Sequence, residues 1–416
     1  MTDLAWLEAA ITAARPQAVA ALLRYFRDLD TAEEAFQEAC LRALKSWPTN
    51  GPPRDATAWL IMVGRNAALD ATRKRSRLTA MPDEEQVSDL EDREAEMADR
   101  LDETHYRDDI LRLLFICAHP ELPATQQIPL ALRIVSGLSV KQIARAFLVT
   151  EAAMEQRITR AKAKVADAGV PFETPGAIER AERLAAVLAM VYLVFNEGYS
   201  AGPKDEERGR LAEEAIRLGR LLLRMYQTEP EVMGLLALML LQHSRAPARF
   251  SESGEIVLLE DQDRSLWRTA YVQEGLALID KAIRHAQTGP YLVQAAIAAI
   301  HSRAPRYADT DWFGIDALYA TLEQLTPSPI ITLNRAVAVS KTQGPQAALD
   351  MIAPLELALG AYFHFHGARG SLLLQIGQTR AAREAFDRAI SLANTPAEAA
   401  HIRMHIDRLT GARDSA

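Results

Sequence analysis

Apolar residues recur three and four positions apart along almost the whole chain, and nowhere do apolar and polar residues alternate long enough to build a sheet. That period demands helices, and the abundance of Ala and Leu favours them. The expected fold class is all-α. One exception is expected between Ala248 and Glu260, where Ser253-Gly254 precedes the run Ile256-Val257-Leu258-Leu259 and could turn a small hairpin between helices. Breaks fall at Trp47–Pro53, at an acidic stretch after residue 78, and at Gly169–Gly176. They divide the chain into 1–78, a linker at 79–104, 105–168, and 176–412.

Charge follows the same division. Residues 1–78 hold 11 Lys/Arg against 9 Asp/Glu, residues 79–109 hold 3 against 13, and residues 110–168 hold 8 against 4. Two basic blocks therefore flank one acidic strip. Such a strip is either a solvated linker or a nucleic-acid mimic that lies against the basic blocks. The overall net charge of -8 and 49% hydrophobic content exclude a mainly disordered chain. Cys40 and Cys117 are too few for a disulfide framework or a thiolate zinc site and suit a reducing compartment. Met1–Pro16 carries Asp3 and Glu8 and no continuous apolar core, so no secretory signal is expected there. The longest apolar run, Ala185–Phe195, falls short of the ~20 residues of a membrane helix. A cytoplasmic location with no membrane partner is expected.

The last block contains a repeat. Ala336 and Gly370, Ala348 and Ala382, and Ile352 and Phe386 stand at one common offset of about 34 residues, the period of tetratricopeptide-like helix pairs. Gly344-Pro345 and Gly377-Gln378 would turn between the helices of each pair. Tyr291–Arg303 and Trp312–Leu325 form a looser pair, and Glu179–Asn196, Glu207–Met225 and Pro230–His243 continue the series. An α-solenoid is expected.

Two candidate interfaces precede it. In the second block Ser139 caps a helix through Ala144, Phe147–Thr150 is a turn, and Glu151–Val165 is a second helix, with Ile143, Phe147, Val149, Met154 and Ile158 as shared core. Leu148 stands in the turn where Gly is usual. The second helix exposes Gln156, Arg157, Arg160, Lys162 and Lys164. Cations neutralise phosphates, while Gln and Arg can read base edges in a major groove. Glu155 on the same helix can accept from cytosine N4 but repels phosphate. In the first block Thr31 and Glu34 form an expected capping box. Phe36, Cys40, Leu41 and Leu44 would form the apolar face, leaving Glu33, Glu34, Gln37, Glu38 and Arg42 outside. Ala56–Arg77 is one long helix, with Trp59, Leu60, Val63, Ala67 and Leu69 available for packing. It ends in Arg73, Lys74, Arg75 and Arg77, more cations than a helix terminus needs and suited to a nucleic-acid backbone.

Asp30–Leu44 and Ala58–Arg73 resemble region 2 of extracytoplasmic-function (group 4) RNA polymerase sigma factors, and Leu138–Lys164 resembles their region 4. The rest is similar to the C-terminal extension of one sigma subfamily, through Tyr192–Ser200, Leu259–Asp263 and Ala308–Trp312. The resemblance implies core RNA polymerase as partner, through the β′ clamp helices and the β flap, and promoter DNA as the second partner. Glu33, Glu34, Gln37, Glu38 and Arg42 would grip the clamp helices. Pro48–Asp55 and the start of the Trp59 helix would hold a flipped base of the -10 element. Arg65, Asn66, Arg73, Lys74, Arg75 and Arg77 would contact DNA there. Gln156, Arg157, Arg160, Lys162 and Lys164 would lie at the -35 groove. The acidic linker would thread toward the polymerase channels. No catalytic residue, cofactor or metal is expected. The alternatives are a helix-turn-helix regulator working without polymerase, which would bind closed duplex alone, and a repeat scaffold with vestigial DNA-binding helices or a helical enzyme. The terminal repeats would regulate the sigma through a protein or an intramolecular partner.

Overall fold

The computed structural model describes residues 5–77, 109–167, 177–393 and Ile402, apart from Pro52, Leu111, Arg112, Pro120, Leu148, Pro203, Lys204, Glu252 and Ala286. The acidic linker and the turn residue Leu148 lie outside the described residues. Every element among those described is helical, with no strand. The chain divides into two compact units, Met1–Val194 and Phe195–Ala416.

The first unit opens with α1 (Ala5–Phe26), α2 (Leu29–Asn50) and α3 (Ala56–Arg77), which pack on one another. Leu22, Phe36 and Leu60 are fully buried where they meet. A Cβ on Gly64 would stand 2.8 Å from the Ala35 carbonyl oxygen, so α3 approaches α2 closely enough that only glycine fits. The bounds of α3 are those expected. The start of α2 is not. Its cap is Asp28, whose carboxylate accepts from the Thr31 amide at 2.7 Å, and Thr31 stands inside the first turn. α2 also runs past the expected break at Trp47. Trp47 is buried against Trp59, ring centroids 5.3 Å apart, and this packing carries the helix through Pro48 to a left-handed Gly51.

Ala124–Ile134 (α4), Val140–Ala146 (α5) and Glu151–Asp167 (α6) follow, with helical residues at 109–110 and 113–117 before them. Cys117 is buried, and burial pushes its thiol far above the ordinary range, which makes it inert.

The second unit takes in the end of α7 (Ala177–Tyr199) and then α8 (Glu206–Met225), α9 (Pro230–Ser244), α10 (Thr269–Ala282), α11 (Pro290–Arg303), α12 (Trp312–Leu325), α13 (Pro329–Thr342), α14 (Pro345–Ile352), α15 (Phe363–Gln375) and α16 (Thr379–Leu392). α9 is apolar almost all round and is the buried helix of the unit, packed by α8, α10 and α11. The residues that share the 34-residue offset are buried in each case: Ala336 with Gly370, Ala348 with Ala382, Ile352 with Phe386. A Cβ on Gly370 would meet the Phe386 ring at 2.5 Å, so the small residue admits the aromatic of the next helix. The expected hairpin reduces to a turn with one antiparallel bridge, Phe250 to Ile256, closed at left-handed Gly254. No strand follows, because Leu258 and Leu259 continue into further turns instead of pairing.

Candidate functional site

The helix-turn-helix is built as its residues dictate. The Ser139 hydroxyl accepts from the Gln142 amide at 3.2 Å, and the Gln142 side chain accepts from the Ser139 amide at 2.8 Å, a reciprocal capping box that fixes the entry to α5. Ile143, Ala144, Met154 and Ile158 are buried between α5 and α6, and Phe147 and Val149 are half-buried beside them. On the outer face of α6, Gln156 and Arg160 are exposed one turn apart, joined at 3.1 Å, with Arg157 half-buried between them.

Lys162 and Lys164 are placed differently from expectation. Lys164 donates to the Glu121 carbonyl. Lys162 reaches α2, with its ammonium 2.6 Å from Asp30 and 2.9 Å from Glu33. Glu33 is the larger departure, because it is buried, its side chain only 6% exposed. Its carboxylate also takes the Arg133 guanidinium at 2.9 Å and that of Arg15 at 3.4 Å. One carboxylate thus gathers cations from α1, α4 and α6, with Asp30 sharing the lysine. Arg15 further donates to the carbonyls of Arg133 and Ile134, both at 3.1 Å. Gly137, at φ 76°, closes over it, and a Cβ there would stand 2.7 Å from the Arg15 side chain. Burial lowers the Arg15 pKa, an effect opposed by Glu33. Burial also pulls the Lys162 ammonium down, but its hydrogen bonds to Asp30 and Glu33 outweigh that and leave it raised. Asp109, buried, pairs with Arg24 of α1 at 3.2 Å and adds a second tie between the two blocks.

The remaining α2 residues form an open strip. Glu34, Gln37 and Arg42 are exposed, and Glu38 pairs with Arg42 at 3.1 Å. Leu41 and Leu44, expected in the core, are about half exposed on the same side. The buried face is carried instead by Ala32, Ala35, Phe36, Ala39, Ala43 and Trp47, which turns the helix relative to the expected stripe. On α3, Trp59 is half-buried against Trp47, and Asn66 is exposed. The Arg65 guanidinium lies 4.8 Å over the Tyr25 ring. Arg73, Lys74, Arg75 and Arg77 lie on the last turns of α3, and their side chains are outside the described residues.

Sequence reasoning missed Arg15, Arg24, Asp109 and Arg133. No local signal marks them, since the partners of Arg15 across the two blocks lie more than a hundred residues away in the chain. No helix among the described residues is long and apolar enough to cross a membrane.

These two modules define a class. Residues 10–78 match Sigma-70 region 2 and residues 112–165 match Sigma-70, region 4. Residues 183–283 match a family of unknown function, DUF6596. The chain is a sigma factor of the extracytoplasmic-function kind, with RNA polymerase and promoter DNA as its partners. It belongs to the same family as the uncharacterized protein R00370 of Rhizobium meliloti (strain 1021), to which it is 66% identical over 98% of this chain and 97% of that protein.

Proposed function

We propose that this sigma factor directs polymerase to promoters whose -35 element is read by Gln156, Arg157 and Arg160 of α6, with Lys162 and Lys164 joining once released from Glu33 and the Glu121 carbonyl. The exposed α2 strip of Glu34, Gln37, Glu38 and Arg42, together with Leu41 and Leu44, grips the β′ clamp helices. Trp59, Arg65, Asn66 and the basic end of α3 hold the opened -10 strand. The chain works in the cytoplasm, beside the polymerase, and lends recognition and strand opening while the polymerase performs the chemistry. The paired helices of the second unit are a tetratricopeptide-like regulator of these modules.

The observation that carries this reading is the exposed polar face of α6 above a helix-turn-helix whose cap and core are complete. The Glu33 cluster adds a condition, because Lys162 cannot neutralise a phosphate while it is shared by Asp30 and Glu33. The two modules must part for both interfaces to be used. Arg160→Ala in the full chain, assayed with core polymerase on a promoter it transcribes, is expected to weaken binding and to reduce the salt dependence by about one ion per site. Unchanged affinity and salt slope would remove α6 from the DNA.

A further inference from the structure

The second unit contains a site that neither promoter nor polymerase binding uses. The longest connection between its α-helices is 245–268, from α9 to α10, which holds only short 3-10 turns at Ala246–Ala248 and Arg264–Leu266; residues 304–311, with one at Tyr307–Asp309, join α11 and α12. Connections on a rigid scaffold are the usual place for binding residues. These two connections meet. Arg264 donates to the carbonyls of His301 and Ala304, at 2.5 and 2.8 Å.

Three of the four aspartates of these segments are occupied. Asp263 accepts from the Ser265 amide at 2.8 Å, Asp311 caps Gly314 at 2.9 Å, and Asp309 holds Arg306 through two contacts of 2.7 and 2.8 Å. Arg264 Nη2 and Trp267 Nε1 are buried donors without a hydrogen-bond partner among the described residues, and His301 Nδ1, Thr310 Oγ1 and the Gln262 Oε1 acceptor are likewise buried without one. Neither Arg245 nor Arg249 is ion-paired among the described residues. Arg245 donates to the Tyr199 hydroxyl at 2.9 Å, and the Arg249 guanidinium lies 3.7 Å over the same ring. Buried donors left unpaired, as at Arg264 and Trp267, call for an acceptor.

Beside this cluster lies a groove of about 300 Å³, large enough for a small ligand, lined by His301, Tyr307, Trp312, Tyr319 and Val337. His301 and Tyr307 each stand edge-on to Trp312, both with ring centroids 5.4 Å apart. The Lys341 ammonium lies 5.6 Å from the Tyr307 centroid and 6.0 Å from that of Trp312. Glu260, exposed at the rim, is the only carboxylate in the lining. His301 is held neutral by its burial, with Arg245 and Arg264 adding to the effect, and its pKa falls to about 4.

We propose that this groove binds a small planar aromatic carboxylate, its ring against Tyr307 and Trp312 and its anionic group toward His301 and Lys341. Aromatic walls and a single rim carboxylate favour a monoanion with an apolar body over free phosphate. Arg264, behind His301, strengthens the positive field without touching the ligand.

The test titrates the full-length chain with naphthoate, followed by calorimetry and tryptophan fluorescence, beside neutral naphthylmethanol and cationic naphthylmethylamine. Saturable naphthoate binding at least about tenfold tighter than either analogue is expected. Lys341→Gln should weaken it several-fold. Val337→Glu, at an exposed rim position, should weaken it at least about tenfold while leaving the unfolding temperature unchanged. His301→Ala should do the same, and Val337→Glu decides the matter if His301→Ala fails to fold. Absence of saturation, equal affinity for the three probes, or undiminished binding by both Lys341→Gln and Val337→Glu would overturn the proposal.

Discussion

Two charge clusters in this molecule are built on opposite plans. Around Glu33, the buried carboxylate is surrounded by Arg15, Arg133 and Lys162 at 2.9 to 3.4 Å, and Asp30 shares the lysine. Around His301, neither Arg245 nor Arg264 is ion-paired with a carboxylate among the described residues, and Arg264 Nη2 and Trp267 Nε1 are buried donors without a hydrogen-bond partner there. The first is a satisfied network, which ties elements together and specifies their register. The second is unsatisfied, which a fold tolerates where something else supplies the missing acceptor. A cluster of arginines is therefore not informative by its count. What matters is whether its hydrogen bonds and charges close among themselves.

Breaking the closed cluster should have the largest effect. Glu33→Ala leaves three cations facing one another in a buried space and should cost about 3–5 kcal/mol of unfolding free energy, measured by denaturant titration. A loss below about 1 kcal/mol would mean that water already screens these groups. Next comes acid. His301 has a folded pKa of about 4, below its ordinary value of 6.5, so the folded unit binds fewer protons than the unfolded chain between those values. Stability is therefore full above about pH 6.5 and falls as pH drops toward 4, by roughly 2–3 kcal/mol. His301→Gln should flatten that part of the profile. A bound anion should shift the loss to lower pH by stabilising the folded unit. The smallest effect calibrates the comparison. Arg380 and Glu384 form a pair 3.7 Å apart on the open surface of α16, and Arg380→Ala should change stability by no more than about 0.5 kcal/mol.

Much of the helical framework could be read from local residues. The bounds of α3 and the Ser139 cap follow from neighbours along the chain, and the buried residues at the 34-residue offset follow from the repeat itself. The polar face of α6 was readable for the same reason, since a 3.6-residue period places Gln156 and Arg160 together. Glu33 was not. An acidic residue in the first turns of an amphipathic helix reads as solvated, and cations brought from α1, α4 and α6 make its burial tolerable. Leu41 and Leu44 misled for the converse reason. Leucines at helical spacing read as core, yet the alanines beside them let α2 pack closer to α1 and α3 and leave the leucines outside. The cap at Asp28 shows a third limit, since Asp28 and Thr31 are both competent caps and the helix starts at the earlier one.

The most direct measurement is strand opening. Full-length protein, core polymerase and promoter DNA are combined, and unpaired thymines near the -10 element are detected by permanganate. Reactive thymines are expected only when protein and polymerase are present together, with neither sufficient alone. Tight, sequence-specific binding of closed duplex by the protein alone, with no opening when polymerase is added, would contradict the account.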